Sequence, residues 1–351
     1  MECSDSVEYG GIKLDRQREI NLDILRGISA FCVILIHINW VYFERNTGNN
    51  MEYYFEVIIN LLTRFCVPCF LMLSGALLMR NPKNANFMCF YKKSMHKIFL
   101  PVILFSCFYL IFNWVTDFIS NRTISIAKLN CLISGNWYAL WYMYMLLGIY
   151  MLVPLFIRLK DGISSRQYTV AVMVLLLWSC GSQIFSEYEL QYCIGNVISF
   201  SSYVLLGDLI YSNRLFMKQK IKQLGAVTLV ILAIAVVLRM GGVNYFAGPS
   251  PNMAFFSPAV VIYSILVFSF FVNLNIESKI NIFSKTAEYS YLIYLLHVFV
   301  YEIIFNFIEK GTKILGSALI SILLITSITF IFSLLISIVL KKLLILFRIN
   351  L

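Results

Sequence analysis

The run NLDILRGISAFCVILIHINW, residues 21–40, is apolar except for a few groups that could do chemistry. Arg26 carries a fixed positive charge that can grip an anion or a polarised carbonyl. His37 carries an imidazole that titrates near neutral pH and can take up or release a proton. The two are eleven residues apart. At roughly 100° per residue that spacing is three turns plus about 20°, so both lie on one helix face, about 16 Å apart along the axis. Asp23 is one turn before Arg26 on the same face and can pair with it. Taken singly, Arg26 would serve as an anchor at a membrane surface and His37 as a hydrogen-bonded interior histidine. Together they form a stripe with a cation near one surface and an imidazole deeper in.

Three other segments place polar groups in apolar surroundings, where ionisable side chains are costly and mark function by default. In LLTRFCVPCFLMLSGALLM, Arg64 lies mid-run, too far from either end to snorkel, with Asn60 one turn away. Pro68 is expected to kink this helix and free backbone carbonyls. Ser74 and Gly75 follow, a pair common at helix contacts. In GNWYALWYMYMLLGIYMLVPLF, Trp137, Trp141, Tyr144 and Gly148 share a face. An interfacial aromatic belt accounts for most of this, and the same rings would suit a sugar-binding ledge. In AEYSYLIYLLHVFVYEIIF, Ser290, Tyr294, His297 and Tyr301 share a face that reads as hydrogen-bonded or wet, with Glu302 elsewhere. His96, within YKKSMHK, is expected in a solvated basic loop able to attract anionic headgroups or a phosphorylated cofactor. Asp208 is expected to cap or pair. No metal-ligand set is read.

The elements that must hold these groups follow from composition. Of 351 residues, 60% are hydrophobic and only 13% charged, against roughly 25% charged in soluble domains. That much apolar side chain needs a bilayer. The net charge of +10 does not point to nucleic acid, because the basic residues sit in short loops. The polar first twenty residues and the long run after them predict no cleavable signal peptide. The nine cysteines are scattered and suggest no disulfide framework, and Cys66 and Cys69 read as packing residues.

Runs long enough to cross a bilayer, about 20 residues each, fall at 22–43, 53–79, 98–116, 136–157, 168–185, 195–212, 223–240, 255–275, 289–308 and 314–340. With the N-terminus inside, twenty Lys and Arg lie in cytoplasmic pieces and five in outer loops, the bias of the positive-inside rule. The expected fold is all-α: a polytopic membrane protein of about ten helices in one bundle, both termini cytoplasmic. Residues 1–19 and 343–351 would be cytoplasmic tails around a membrane domain at 20–342. The loops are short, so chemistry must come from the helices and their ends.

These segments resemble the acyltransferase 3 family. LDILRGISAFCVILIH matches its signature of an Arg, ten residues and a His, at Arg26 and His37. TRFCVPCFLMLSGALL is similar to its second-helix stretch at Arg64, Pro68, Phe70, Ser74 and Gly75. ALWYMYMLLGIYMLVPL resembles its Leu-Trp-Tyr segment, here Leu140, Trp141 and Tyr142. AEYSYLIYLLHVFV resembles its late Ser-x3-Tyr-x2-His helix at Ser290, Tyr294 and His297. The blocks occur in family order across about 20–340. They look nearest to the stand-alone branch that includes the O-acetyltransferase of enterobacterial common antigen. Ala76 and Cys69 depart from the family's usual residues.

The resemblance implies transfer of an acyl group, usually acetyl from acetyl-CoA, to a hydroxyl of a cell-envelope glycan or lipid-linked sugar at a bacterial plasma membrane. Acyl-CoA is then the donor substrate, with no bound cofactor. The bilayer is a partner, nucleic acid is not, and a homo-oligomer is compatible. Acyl transfer needs a base, an oxyanion stabiliser and a grip on the donor. His37 would be the base, with a covalent acyl-histidine relay less favoured. Arg26, oriented by Asp23, would hold a CoA phosphate or the thioester carbonyl, with Arg64 and Ser74 also on the donor side. Arg64 or a hydroxyl of the helix at 289–308 would supply the oxyanion contact. Trp137, Trp141, Tyr142, Tyr294 and His297 would line the acceptor. A transporter of glycan or small molecules and a non-enzymatic sensor are the competing readings. Consumption of acetyl-CoA separates both from the enzyme.

Overall fold

A computed structural model describes residues 8–9, 12–13, 19–45, 50–121, 140–182, 194–240, 255–276, 285–308 and 318–346. Apart from a two-residue antiparallel bridge, Glu8–Tyr9 against Ile12–Lys13, the long elements among the described residues are helical. They are α1 Ile20–Arg45, α2 Asn50–Thr63, α3 Cys66–Leu78, α4 Phe87–Asn121, α5 Trp141–Gly162, α6 Ser165–Ser182, α7 Ile194–Ser212, α8 Arg214–Met240, α9 Pro258–Val272, α10 Ser290–Ile308 and α11 Ala318–Leu346. Each of the ten apolar runs falls on one of these helices, the second on the pair α2–α3. Six stretches are long and apolar enough to cross a membrane: Ile20–Tyr42, Glu52–Leu78, Phe87–Ile119, Trp141–Gly162, Arg214–Leu238 and Leu319–Leu343. Pro258–Val272 and Ser290–Phe305 are shorter apolar helices.

α1 is the hub. It packs against α2, α3, α9, α10 and α11, and Leu25, Ile34 and Ile38 on it are fully buried. The tightest neighbours are α3 and α7. Gly75 and Gly207 bring their backbones together: a Cβ added at Gly75 would lie 1.8 Å from the Val204 carbonyl oxygen, and one at Gly207 2.1 Å from that of Met72. Without a hydrophobic drive between helices in lipid, such close backbone approach supplies the packing. Ser-Gly at 74–75 is thus a packing element, as its residue types suggest.

Two expectations are corrected. Arg64 is not mid-helix; the chain breaks at Arg64 and Phe65, between α2 and α3. Pro68 falls in the first turn of α3, where the missing N–H has no helical acceptor to lose, so the interruption precedes the proline. The basic segment YKKSMHK containing His96 is not a loop but the early part of α4.

Several contacts gather one set of helix ends. Glu19, just before α1, pairs with Arg80 after α3 at 3.6 Å and accepts a hydrogen bond from Tyr211 near the end of α7. The Arg80 and Arg214 guanidinium groups lie 4.2 and 4.8 Å from the Tyr211 ring. The Asn21 amide donates to the Phe271 carbonyl near the end of α9, at 2.8 Å. Lys341, late in α11, pairs with Glu288 just before α10.

Candidate active site

Uninterrupted α1 carries both Arg26 and His37, so the helical rise sets their separation at about 16 Å. At the α1 start, the Arg26 guanidinium meets Asp23 at 3.2 Å, with the Arg26 side chain 28% exposed. Ser74 of α3 bonds the Phe70 carbonyl one turn back, at 3.0 Å. Its hydroxyl lies within reach of the Tyr150 hydroxyl of α5, which also feels the Arg26 charge. Arg26, Asp23, Ser74 and Tyr150 therefore form one group on three helices.

Deeper in, His37 meets His297 of α10 with ring centroids 5.2 Å apart. The Arg64 charge acts on His37, which places the helix break beside the histidine pair. Arg64 is buried and its guanidinium lies 4.8 Å from the centre of the Phe255 ring. The His297 ring lies 5.5 Å from Tyr294, which lies 5.2 Å from Tyr142 of α5. Trp141 packs against Phe200 and Phe255, each at 5.8 Å. A chain of contacts thus joins His37, His297, Tyr294 and Tyr142, with Trp141, Phe255 and Arg64 on its other side.

The accessible surface is uneven along this chain. His297, Tyr294, Tyr142 and Arg64 are buried, whereas His37 and Trp141 are half-buried. Ser290, Tyr294, His297 and Tyr301 are all buried, so that face of α10 points into the protein.

α10 is also held from α4. The Tyr109 hydroxyl donates to the Leu295 carbonyl at 2.7 Å and accepts from the Phe299 N–H at 3.3 Å. Tyr109 thus holds the α10 backbone on both sides of His297.

A family model described as an acyltransferase domain, that of acyltransferase 3, matches residues 19–342. The chain belongs to the acyltransferase 3 family. No curated protein and no solved structure matches it. As a member of this family it is an acyltransferase, and its apolar helices make it a multi-pass membrane protein. The Arg-x10-His spacing that carries the resemblance is that of Arg26 and His37, which lie in the two groups just described.

The residues of this aromatic face have separate neighbours. Trp137 lies outside the described residues. Trp141 packs against Phe200 and Phe255 in an aromatic cluster. Tyr144 turns to α4, where its hydroxyl bonds that of Ser106 at 2.9 Å, and Gly148 makes room for Val197 of α7. Asp208 does pair: it is fully buried, with Lys160 at 2.8 Å and the Tyr168 hydroxyl at 2.9 Å. Cys66 and Cys69 are buried free thiols in the core. Sequence reasoning missed Tyr109, Tyr150 and Phe255. Each is one aromatic among many in an apolar run, and only the fold brings it to the site.

Proposed function

We propose that this acyltransferase moves an acetyl group from acetyl-CoA to a hydroxyl of a cell-envelope carbohydrate, with the donor entering from the cytoplasm. In this reading the chain crosses a bacterial plasma membrane ten times with both termini inside. The observation that carries the reading is the pairing of two polar groups on one helix: Arg26 with Asp23 at its start, and half-buried His37 beside Arg64 three turns deeper.

Arg26 receives a phosphate of the donor, and Asp23 fixes the direction of its guanidinium. Ser74 and Tyr150 add hydroxyls to the same side. The separation of about 16 Å along α1 suits an extended donor arm reaching from the surface to His37. His37 takes the acceptor hydroxyl proton while the oxygen attacks the thioester carbon. Negative charge then develops on the carbonyl oxygen, and Arg64 is the cation placed to stabilise it. The C–S bond breaks and the thiolate takes the proton from His37. Trp141, Tyr142 and Tyr294 line the acceptor side.

The test is acetyl-CoA binding and consumption by the purified full chain, wild type against Arg26→Ala. Saturable binding with thiol release in the wild type, weakened in the variant, supports the reading. Binding without thiol release would favour transport, and no binding by folded wild type would exclude acetyl-CoA as donor.

A further inference from the structure

We infer that His297 is the positioning residue for His37: its Nε2 accepts the N–H of one His37 nitrogen and thereby aims the lone pair of the other at the acceptor hydroxyl. The inference rests on the acyl-transfer reading for the role of His37, but the contact itself does not.

The first observation is the state of the His297 ring. Its Nδ1 lies 2.5 Å from the Tyr294 carbonyl oxygen, with the Ile293 carbonyl as a second backbone acceptor. A carbonyl oxygen only accepts, so Nδ1 carries the hydrogen. In a neutral imidazole the other nitrogen is then a bare acceptor. That atom, Nε2, is buried and has no hydrogen-bond partner among the described residues. Leaving a buried acceptor unsatisfied is costly, so a donor is called for.

The second observation supplies the donor. The His37 ring stands 5.2 Å from His297, centroid to centroid, with the planes at 42°. Of the two rings next to His297 on the inward face, Tyr294 and His37, His37 can present a ring N–H. A small rotation of its side chain completes the bond.

The third observation assigns the roles. His37 keeps accessible surface while His297 has none. Of the two rings, His37 is the one with surface left for an acceptor hydroxyl. The buried ring orients and the accessible ring reacts, the general arrangement of a base held in one tautomer by a second group. Its own anchor is firm, because α10 is clamped on either side of His297 by Tyr109. No proton passes to His297 during turnover. The hydroxyl proton goes to the free nitrogen of His37 and from there to the departing thiolate.

The chain contains three histidines, so ¹⁵N-histidine spectra of the full-length protein in lipid bilayers can be assigned by single substitutions. We expect His297 to carry its hydrogen on Nδ1 and His37 to occupy a single tautomer in the wild type. In His297→Phe, which keeps a ring but offers no acceptor, His37 should exchange between both tautomers. In His297→Gln, whose amide oxygen can stand near the Nε2 position, the single His37 tautomer should return. An unchanged His37 signal in both variants, or a hydrogen on Nε2 of His297 in the wild type, would overturn the inference. These spectra read the contact even if acetyl-CoA proves not to be the donor.

Thiol release from acetyl-CoA then reads the consequence. His297→Phe should lower kcat about tenfold to a hundredfold, part of the 10²–10⁴ that a placed base contributes. KM for acetyl-CoA should hold, and Gln should restore part of the rate. A tautomer change without a rate change would overturn the positioning role of His297.

Discussion

Gly75 of α3 faces the backbone of Val204 on α7 so closely that a methyl group there would overlap the Val204 carbonyl oxygen. Backbone cannot rotate away as a side chain can, so the helices must separate to admit it. Gly75→Ala should therefore destabilise the protein by at least the 1–3 kcal/mol of ordinary overpacking, and Gly207→Ala likewise. Gly225 in α8 has nothing within 4 Å of its added Cβ, so Gly225→Ala should be neutral. Thermal unfolding in a single detergent would show the order. Equal midpoints for all three would mean that α3 and α7 are not packed through these glycines.

Asp208 is fully buried and, among the described residues, is bonded by the cation of Lys160 and the hydroxyl of Tyr168. Removing the cation strands a buried carboxylate, which costs about 3–5 kcal/mol. Losing the hydroxyl removes a charged hydrogen bond worth about 1.5–3 kcal/mol. Lys160→Met should thus lower the unfolding midpoint more than Tyr168→Phe, and Lys160→Met with Asp208→Asn should recover most of the loss. A double variant no better than Lys160→Met would place the cost elsewhere than in the stranded charge.

The helices were legible because bilayer-length apolar runs are long and unambiguous, and each of the ten falls on a helix. The Arg26–Asp23 pair was also legible, since helical periodicity alone puts the two on one face. So was the inward aim of the His297 face. What periodicity could not reach was contact between helices. Nothing in the α10 sequence says that His297 meets His37, or that Tyr109 enters its backbone ladder, because those contacts join residues far apart in the chain. The break at Arg64 was misplaced for a local reason: a proline in a first turn starts a helix instead of kinking one. YKKSMHK looked like a loop because its charges masked a helix that continues into the apolar run.

Tyr109→Phe tests the clamp on α10. The variant loses one hydroxyl that both donates and accepts. The stability cost should be small, about 1 kcal/mol, while α10 loses this anchor to α4 and His297 shifts. We expect thiol release from acetyl-CoA to fall severalfold with the unfolding midpoint almost unchanged. A rate equal to wild type would show that the clamp does not matter to the site.

Orientation can be read independently of chemistry. The ends gathered by Glu19, Arg80, Tyr211, Arg214 and Asn21 carry much of the basic charge, as cytoplasmic ends should. A fluorescent protein fused after Leu351 should glow in a bacterial host, and alkaline phosphatase at the same point should be inactive. The opposite pair of results would invert the bundle and move Arg26 to the outer face, where cytoplasmic acetyl-CoA could not reach it.

Donor grip and base should separate kinetically, because Arg26 and His37 sit about 16 Å apart on one rigid helix. Arg26→Ala removes a charge from the donor side and leaves the His37 surroundings intact, so acetyl-CoA binding should weaken tenfold or more. His37→Gln removes the base and leaves Arg26 and Asp23 paired, so binding should persist while thiol release falls by about 10²–10⁴. Isothermal titration with acetyl-CoA, alongside initial rates on the same preparations, gives both numbers. If His37→Gln lost binding as completely as Arg26→Ala, the two groups would be one site and the donor would not run along α1. If instead its initial rate matched wild type, His37 would not be the base, and the proton would have to leave by another group near Arg64.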